Sequence, residues 1–139
     1  MGLWFKASGR VKPIPIKEIK IEQPMRFLTG WLQNIADPGT GVAIPVTESG
    51  VVDIVTGGSG ETNTLAVPTF EGQMLILTCM TKGAGARVIT VADPHIDGTN
   101  NTITTAAAGN ILMLMGRRLS TTTYGWALVF NVGFTLSHV

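Results

Sequence analysis

Residues 73–80 read Q-M-L-I-L-T-C-M, and this stretch decides the fold that we expect. Successive side chains of a β-strand point to opposite faces, so Leu75 and Leu77 share one face. Met74 and Ile76 share the other. A strand at the surface of an antiparallel sheet normally has one apolar and one polar face. Because both faces are apolar here, the sequence predicts a strand that is covered on both sides.

The same pattern returns in residues 111–115, I-L-M-L-M, and from residue 40 onward short apolar runs alternate with Gly-, Asn-, Asp- and Thr-rich turns. We expect strands at residues 42–46, 51–55, 63–67, 73–80, 87–92, 101–105, 110–115, 124–132 and 133–137. This spacing predicts an all-β fold, an antiparallel β-sandwich or jelly roll. In so small a sandwich, only another copy or another protein can cover the second apolar face, which favours a homo-oligomer. The residues that we expect in the core or at the interface between subunits are Leu75, Leu77, Leu112, Leu114, Trp126, Leu128 and Phe130.

Composition leads to the same expectation. Of the 139 residues, 45% are apolar and only 14% are charged, and the mean hydropathy is +0.32. No apolar run approaches the roughly 20 residues that a membrane-spanning helix needs, so subunit interfaces explain the excess better than a membrane does. No secretory signal is recognisable, and Cys79 is the single cysteine, so we expect synthesis in a reducing cytoplasm.

The N-terminal 30 residues differ from the rest in charge. They carry a formal charge of +4 and the remaining residues −3, which gives the net +1 of the chain. Residues 11–22 read V-K-P-I-P-I-K-E-I-K-I-E, and the two prolines favour an extended conformation. We expect residues 1–40 to form a basic extended arm plus a short helix at residues 24–36, and residues 41–139 to form the β body. The arm would dock on a partner through Trp4, Phe5, Lys6, Arg10, Lys12, Ile14, Ile16, Ile19 and Ile21. The alternative is a strand packed on its own domain, with a solvated basic tip.

Few residues of the sequence indicate a catalytic or ligand-binding site. His95 lies between Asp93 and Asp97, but Asp97-Gly98 is typical of a turn in which the carboxylate bonds to nearby backbone. Tyr124 and Trp126 resemble a sugar platform, although their parity with Leu128 and Phe130 favours packing. We predict no catalytic residue, metal or cofactor, and we expect no nucleic-acid partner, since isoleucines and glutamates dilute the basic charge of the arm.

Six stretches resemble a known viral domain in their order along the chain. They are T-L-A-V-P (64–68), E-G-Q-M-L-I-L-T (71–78), A-R-V-I-T-V-A (86–92), D-G-T-N-N-T-I-T (97–104), A-G-N-I-L-M-L-M (108–115) and G-W-A-L-V-F-N-V-G (125–133). The domain they resemble is common among tailed bacteriophages and marine viruses. There it forms trimeric β-sandwich or jelly-roll decoration proteins and head fibres. The resemblance covers about residues 50–137 and leaves the arm outside.

The resemblance implies a structural virion protein and no enzyme. The expected function is that of a capsid decoration, or cement, protein. It would form a homotrimer, bind the major capsid protein on the outer surface of the phage head and stabilise the shell. The alternative is a trimeric tail or head fibre domain that recognises carbohydrate on the host surface.

Overall fold

The computed structural model describes residues 32–92 and 96–139, and these residues form ten β-strands. The strands are β1 (Gln33–Ile35), β2 (Ala43–Ile44), β3 (Gly50–Val55), β4 (Glu61–Leu65), β5 (Met74–Thr81), β6 (Arg87–Val91), β7 (Thr102–Thr104), β8 (Ile111–Arg118), β9 (Tyr124–Val132) and β10 (Thr135–Ser137). The described part of the chain contains no helix. The prediction of an all-β fold is confirmed.

The strands form two open five-stranded sheets with their inward faces packed together, as in a β-sandwich. The front sheet has the order β1-β3-β5-β8-β9, and the back sheet has the order β10-β7-β6-β4-β2. From β1 to β6 the chain alternates between the sheets, so that β1, β3 and β5 lie side by side and in parallel, as do β2, β4 and β6. From β6 onward neighbouring strands pair in an antiparallel manner.

The pairing corrects the expectation of an antiparallel sandwich. Of the eight strand pairings among the described residues, four are parallel and four antiparallel. Parallel neighbours need a long crossover connection, and here each crossover contains a strand of the opposite sheet. The finer prediction of a jelly roll is not confirmed, because that topology is built from antiparallel Greek keys.

The prediction of a helix at residues 24–36 is wrong for the part of that segment that the structure describes. Gln33–Ile35 is a strand, parallel to β3 at the edge of the front sheet. Gly50 permits this approach, because a Cβ there would lie 2.5 Å from Ile35 Cδ1 and 2.7 Å from the Gln33 carbonyl oxygen. The strand ends before Asp37, whose carboxylate accepts a hydrogen bond of 3.0 Å from the Gly39 N–H. Residues 32–40 are therefore in contact with the body.

The core is complete within one chain. The buried apolar side chains between the two sheets are at most 5% exposed. They include Ile54, Leu75, Leu77, Leu112 and Leu114 from the front sheet and Ile44, Leu65, Ile89, Val91 and Ile103 from the back sheet. Trp126 fills the space between the sheets, and its indole N–H donates a 2.8 Å hydrogen bond to the Ala66 carbonyl. Because the apolar inner faces of the two sheets cover each other, the body does not depend on a partner for its core.

Candidate assembly surface

The outer face of the front sheet is largely apolar from β3 to β9. One row of residues in register crosses all five strands: Asn34, Val51, Ile76, Met113 and Phe130. The rows on either side add Met74, Met115 and Ala127, and Ile111 and Val132. We call the nine apolar residues of these rows the front face. The Asp53–Thr78 pair borders it, with the Thr78 hydroxyl donating to the carboxylate of Asp53.

The front face is partly open to solvent, with four of its residues exposed and the other five half-buried. Phe130 and Val132 are 50% and 51% exposed, and Ile111 and Met115 are 41% and 39% exposed. A contiguous apolar patch of a few hundred Å² is often a binding site. The front face is therefore the first candidate for a functional surface.

A β-bulge in β9 brings Phe130 onto the front face. Met113 pairs with Phe130 and Leu114 pairs with Leu128, so Val129 is an extra residue on β9. An extra residue reverses the alternation beyond it. Trp126 and Leu128 consequently point inward, while Phe130 points outward.

The structure separates the predicted core and interface residues into two groups. Five of them, Leu75, Leu77, Leu112, Leu114 and Trp126, are 0% exposed in the core. Leu128 packs against that core and is partly buried. Phe130 alone lies on the front face. The first five are therefore not accessible to another subunit in this fold. The arm residues from Trp4 to Ile21 lie outside the described residues, so their docking role stays a prediction.

The residues of β5 and β8 that could contact a partner alternate with the buried leucines along each strand. Met74, Ile76, Met113 and Met115 point outward, next to the buried leucines of β5 and β8. The sequence signal for them was the second apolar face of these strands. What the sequence did not show is which of the two faces the core would take.

A buried ion cluster, missed by the sequence analysis, joins the two sheets at one end. Arg87 of β6 is 2% exposed, and its guanidinium donates 2.9 Å and 2.7 Å hydrogen bonds to Glu61 Oε2. It also donates to Asp37 Oδ1 and, at 2.9 Å, to the Val55 carbonyl of the front sheet. All these acceptors belong to the fold itself, so the cluster is a structural link.

Both carboxylates of this cluster are held in the charged form. Hydrogen bonds from the Gly57 N–H and then from Arg87 lower the pKa of Glu61. Burial alone would raise the pKa of Asp37, but the N–H groups of Val55 and Gly39 together with Arg87 bring that pKa below its ordinary value. The cluster is therefore stable at neutral pH and weakens in acid.

Two of the candidates for chemistry, Cys79 and Asp97, have structural roles. Cys79 is fully buried in the core, and burial raises the pKa of its thiol, which disfavours the nucleophilic thiolate. Asp97 accepts hydrogen bonds of 2.7 Å from the Asn100 N–H and 3.0 Å from the Thr99 N–H, which confirms the predicted turn. Asp93 and His95 lie outside the described residues. Within the described ranges, no three His, Cys, Asp or Glu side chains cluster closely enough to hold a metal ion.

Comparison with known proteins adds no family. No protein-family model matches the chain, and no curated protein matches it. In the part of the chain that the structure describes, no helix has both the length and the apolar character needed to cross a membrane.

Proposed function

We propose that this chain is a structural subunit of a virion, a capsid decoration protein that forms a homotrimer on the outer surface of the phage head. The observation that carries the proposal is the front face, an apolar surface outside a core that is already complete. Such a surface favours association with other protein, since association removes apolar area from water. The viral context and the trimeric state come from the resemblance of residues 50–137.

The front face is too small to form a stable interface alone, so the proposal includes a second contact region. Its nine residues, each covering about 7 Å along the strand and about 4.8 Å across it, measure about 300 Å² in plan. A stable interface buries about 800 Å² on each partner. The front face would therefore supply less than half of the contact. The basic, isoleucine-rich residues 1–22 are the expected source of the remainder, either between subunits or on the major capsid protein.

The first test is the native mass of the full-length chain and of two matched variants. Met113→Lys places a charge in the middle of the front face, and we expect it to abolish the oligomer while the chain stays folded. Val88→Lys is the control, because Val88 is also partly buried and points outward from a central strand, but of the back sheet. A monomeric wild-type chain, or a Met113→Lys variant with unchanged mass, would contradict the assembly role.

The second test addresses the shell. Deletion of residues 1–22 is expected to leave the body folded but to abolish co-sedimentation with phage shells that lack the protein. The full-length chain is the control and is expected to co-sediment. Retained binding by the truncated chain would remove the arm from the proposal and leave the β body as the docking element.

A further inference from the structure

A cavity of about 550 Å³ lies where the β8–β9 hairpin extends beyond the end of the sandwich. Leu119, Thr122, Thr123 and Tyr124 of the hairpin form one wall, and residues 67–69 form the other. Small-molecule sites are commonly concave spaces of about 300–1,000 Å³. The cavity therefore has the size of a binding site, and it lies apart from the front face.

The wall formed by residues 67–69 is held from behind by buried groups. Gln73 is fully buried, and its side-chain oxygen accepts a 2.7 Å hydrogen bond from the Thr69 N–H. The amide nitrogen of Gln73 donates 2.9 Å hydrogen bonds to the carbonyls of Val46 and Glu48. Trp126 holds the preceding residue, Ala66, in the same way. This wall is therefore formed before any ligand arrives, which lowers the entropy cost of binding.

The hairpin wall is also ordered by its own contacts. The Leu119 N–H donates a 3.0 Å hydrogen bond to the Thr123 carbonyl, and the Ser120 and Thr123 hydroxyls lie 2.7 Å apart. The guanidinium of Arg118 lies 5.7 Å from the centre of the Tyr124 ring, which holds that ring in place. The two walls together make a preformed groove.

The lining of this groove combines apolar surface with hydroxyl groups and contains no charged side chain. Val67, Pro68 and Leu119 give apolar contact area. Within the described part of the chain, the hydroxyls of Thr122 and Tyr124 have no hydrogen-bond partner, so each can donate to a ligand and accept from it. A sugar ring has the complementary chemistry, with apolar C–H faces and a rim of hydroxyls.

We propose that this groove binds a neutral sugar unit of a glycan. The apolar wall packs on a face of the sugar ring, and the hydroxyls of Thr122 and Tyr124 bond to the sugar hydroxyls. The inference goes beyond the assembly role and does not depend on it, because no groove residue belongs to the front face.

The single tyrosine of the chain makes the test specific, since Tyr124 lines the groove. Full-length protein labelled with 3-fluorotyrosine gives one fluorine signal, and that signal reports on the groove alone. Glucose, galactose and N-acetylglucosamine are titrated separately, with cyclohexanol as an apolar ring that lacks the sugar hydroxyl pattern. We expect a saturable shift of the signal with at least one of the sugars at millimolar concentrations.

Two variants on adjacent threonines test the contact. Thr122→Val removes the hydroxyl of a lining residue with little change of shape, and we expect sugar binding to weaken about fivefold. Thr121→Val is the control, because Thr121 lies on the same turn but not in the lining, and we expect no change. Absence of a saturable shift with all three sugars would overturn the proposal. Equal shifts with cyclohexanol and sugars, or equal affinity of the Thr122→Val variant and the wild type, would also overturn it, because the groove would then be an unspecific apolar crevice.

Discussion

The outer faces of the two sheets differ although their inner faces are alike. Both inner faces are built from buried Ile, Leu and Val and form one core. The outer face of the back sheet, however, is rich in threonine. Two of its rows in register include Ala43, Thr64 and Thr90, and Thr62, Val88 and Thr104. We call these six residues the back face. Threonine forms strands nearly as well as valine or isoleucine but remains hydrated, so a sheet of this fold does not need an apolar outer face. Folding therefore does not require the front face to be apolar.

The largest effect on stability is expected from a change in the inner face of the front sheet. Leu114→Asp places an unpaired charge in the core, and we expect it to lower the free energy of unfolding by more than about 4 kcal/mol. The neighbouring change Met113→Lys lies on the front face and is expected to leave a folded chain. Urea denaturation followed by circular dichroism measures both. A well-folded Leu114→Asp variant would show that the inner face is not the core.

Removal of the ion cluster is expected to have the next largest effect. Arg87→Met leaves Asp37 and Glu61 without their cation, and breaking a buried pair in this way costs about 3–5 kcal/mol. Arg118→Met is the control, because the Arg118–Glu71 pair has side chains that are 51% and 62% exposed. Exposed pairs contribute less than about 1 kcal/mol. Equal urea midpoints for the two variants would contradict a structural role for the cluster.

The same cluster predicts how stability depends on pH. The pKa values of Asp37 and Glu61 are lower in the folded chain than in the unfolded chain. Their contribution is therefore fully present above the unfolded values of about 4 and is lost as the pH falls through the folded values. The free energy of unfolding is expected to be nearly constant from neutral pH to about pH 5 and to fall in more acidic solution. The double variant Asp37→Asn, Glu61→Gln starts from a lower stability and is expected to show a shallower acid dependence. An equally steep dependence in that variant would assign the acid sensitivity to other carboxylates.

The sequence predicted the positions of the strands far better than their pairing. Nine of the ten strands fall within or next to the predicted segments, because turn residues and apolar runs are local signals. The direction of pairing is not local. Residues 56–60 between β3 and β4 resemble a hairpin loop in length and composition, yet they cross from one sheet to the other.

The prediction of side-chain roles was limited for the same reason, because these roles depend on contacts between residues that are distant in the sequence. The bulge at Val129 could not be read from alternation, and it moves Phe130 to the other face of the sheet. Arg87 opens an apolar strand and gives no local sign that Asp37, 50 residues away, will contact it. The hydroxyl-lined groove also combines residues from two distant segments, 67–69 and 119–124.

The smallest effect on stability is expected from changes that make the back face resemble the front face. Replacing Thr62, Thr64, Thr90 and Thr104 by valine keeps shape and strand propensity, so each change is expected to alter the free energy of unfolding by less than about 0.5 kcal/mol. The variant would then present six apolar residues in two rows, and its native mass at increasing concentration decides between two interpretations. If apolar area alone drives assembly, the variant associates into species larger than the wild type. If its mass stays that of the wild type, the methionines and Phe130 of the front face must contribute specific shape as well as area, because flexible and aromatic side chains adapt to a partner in a way that a flat valine surface does not.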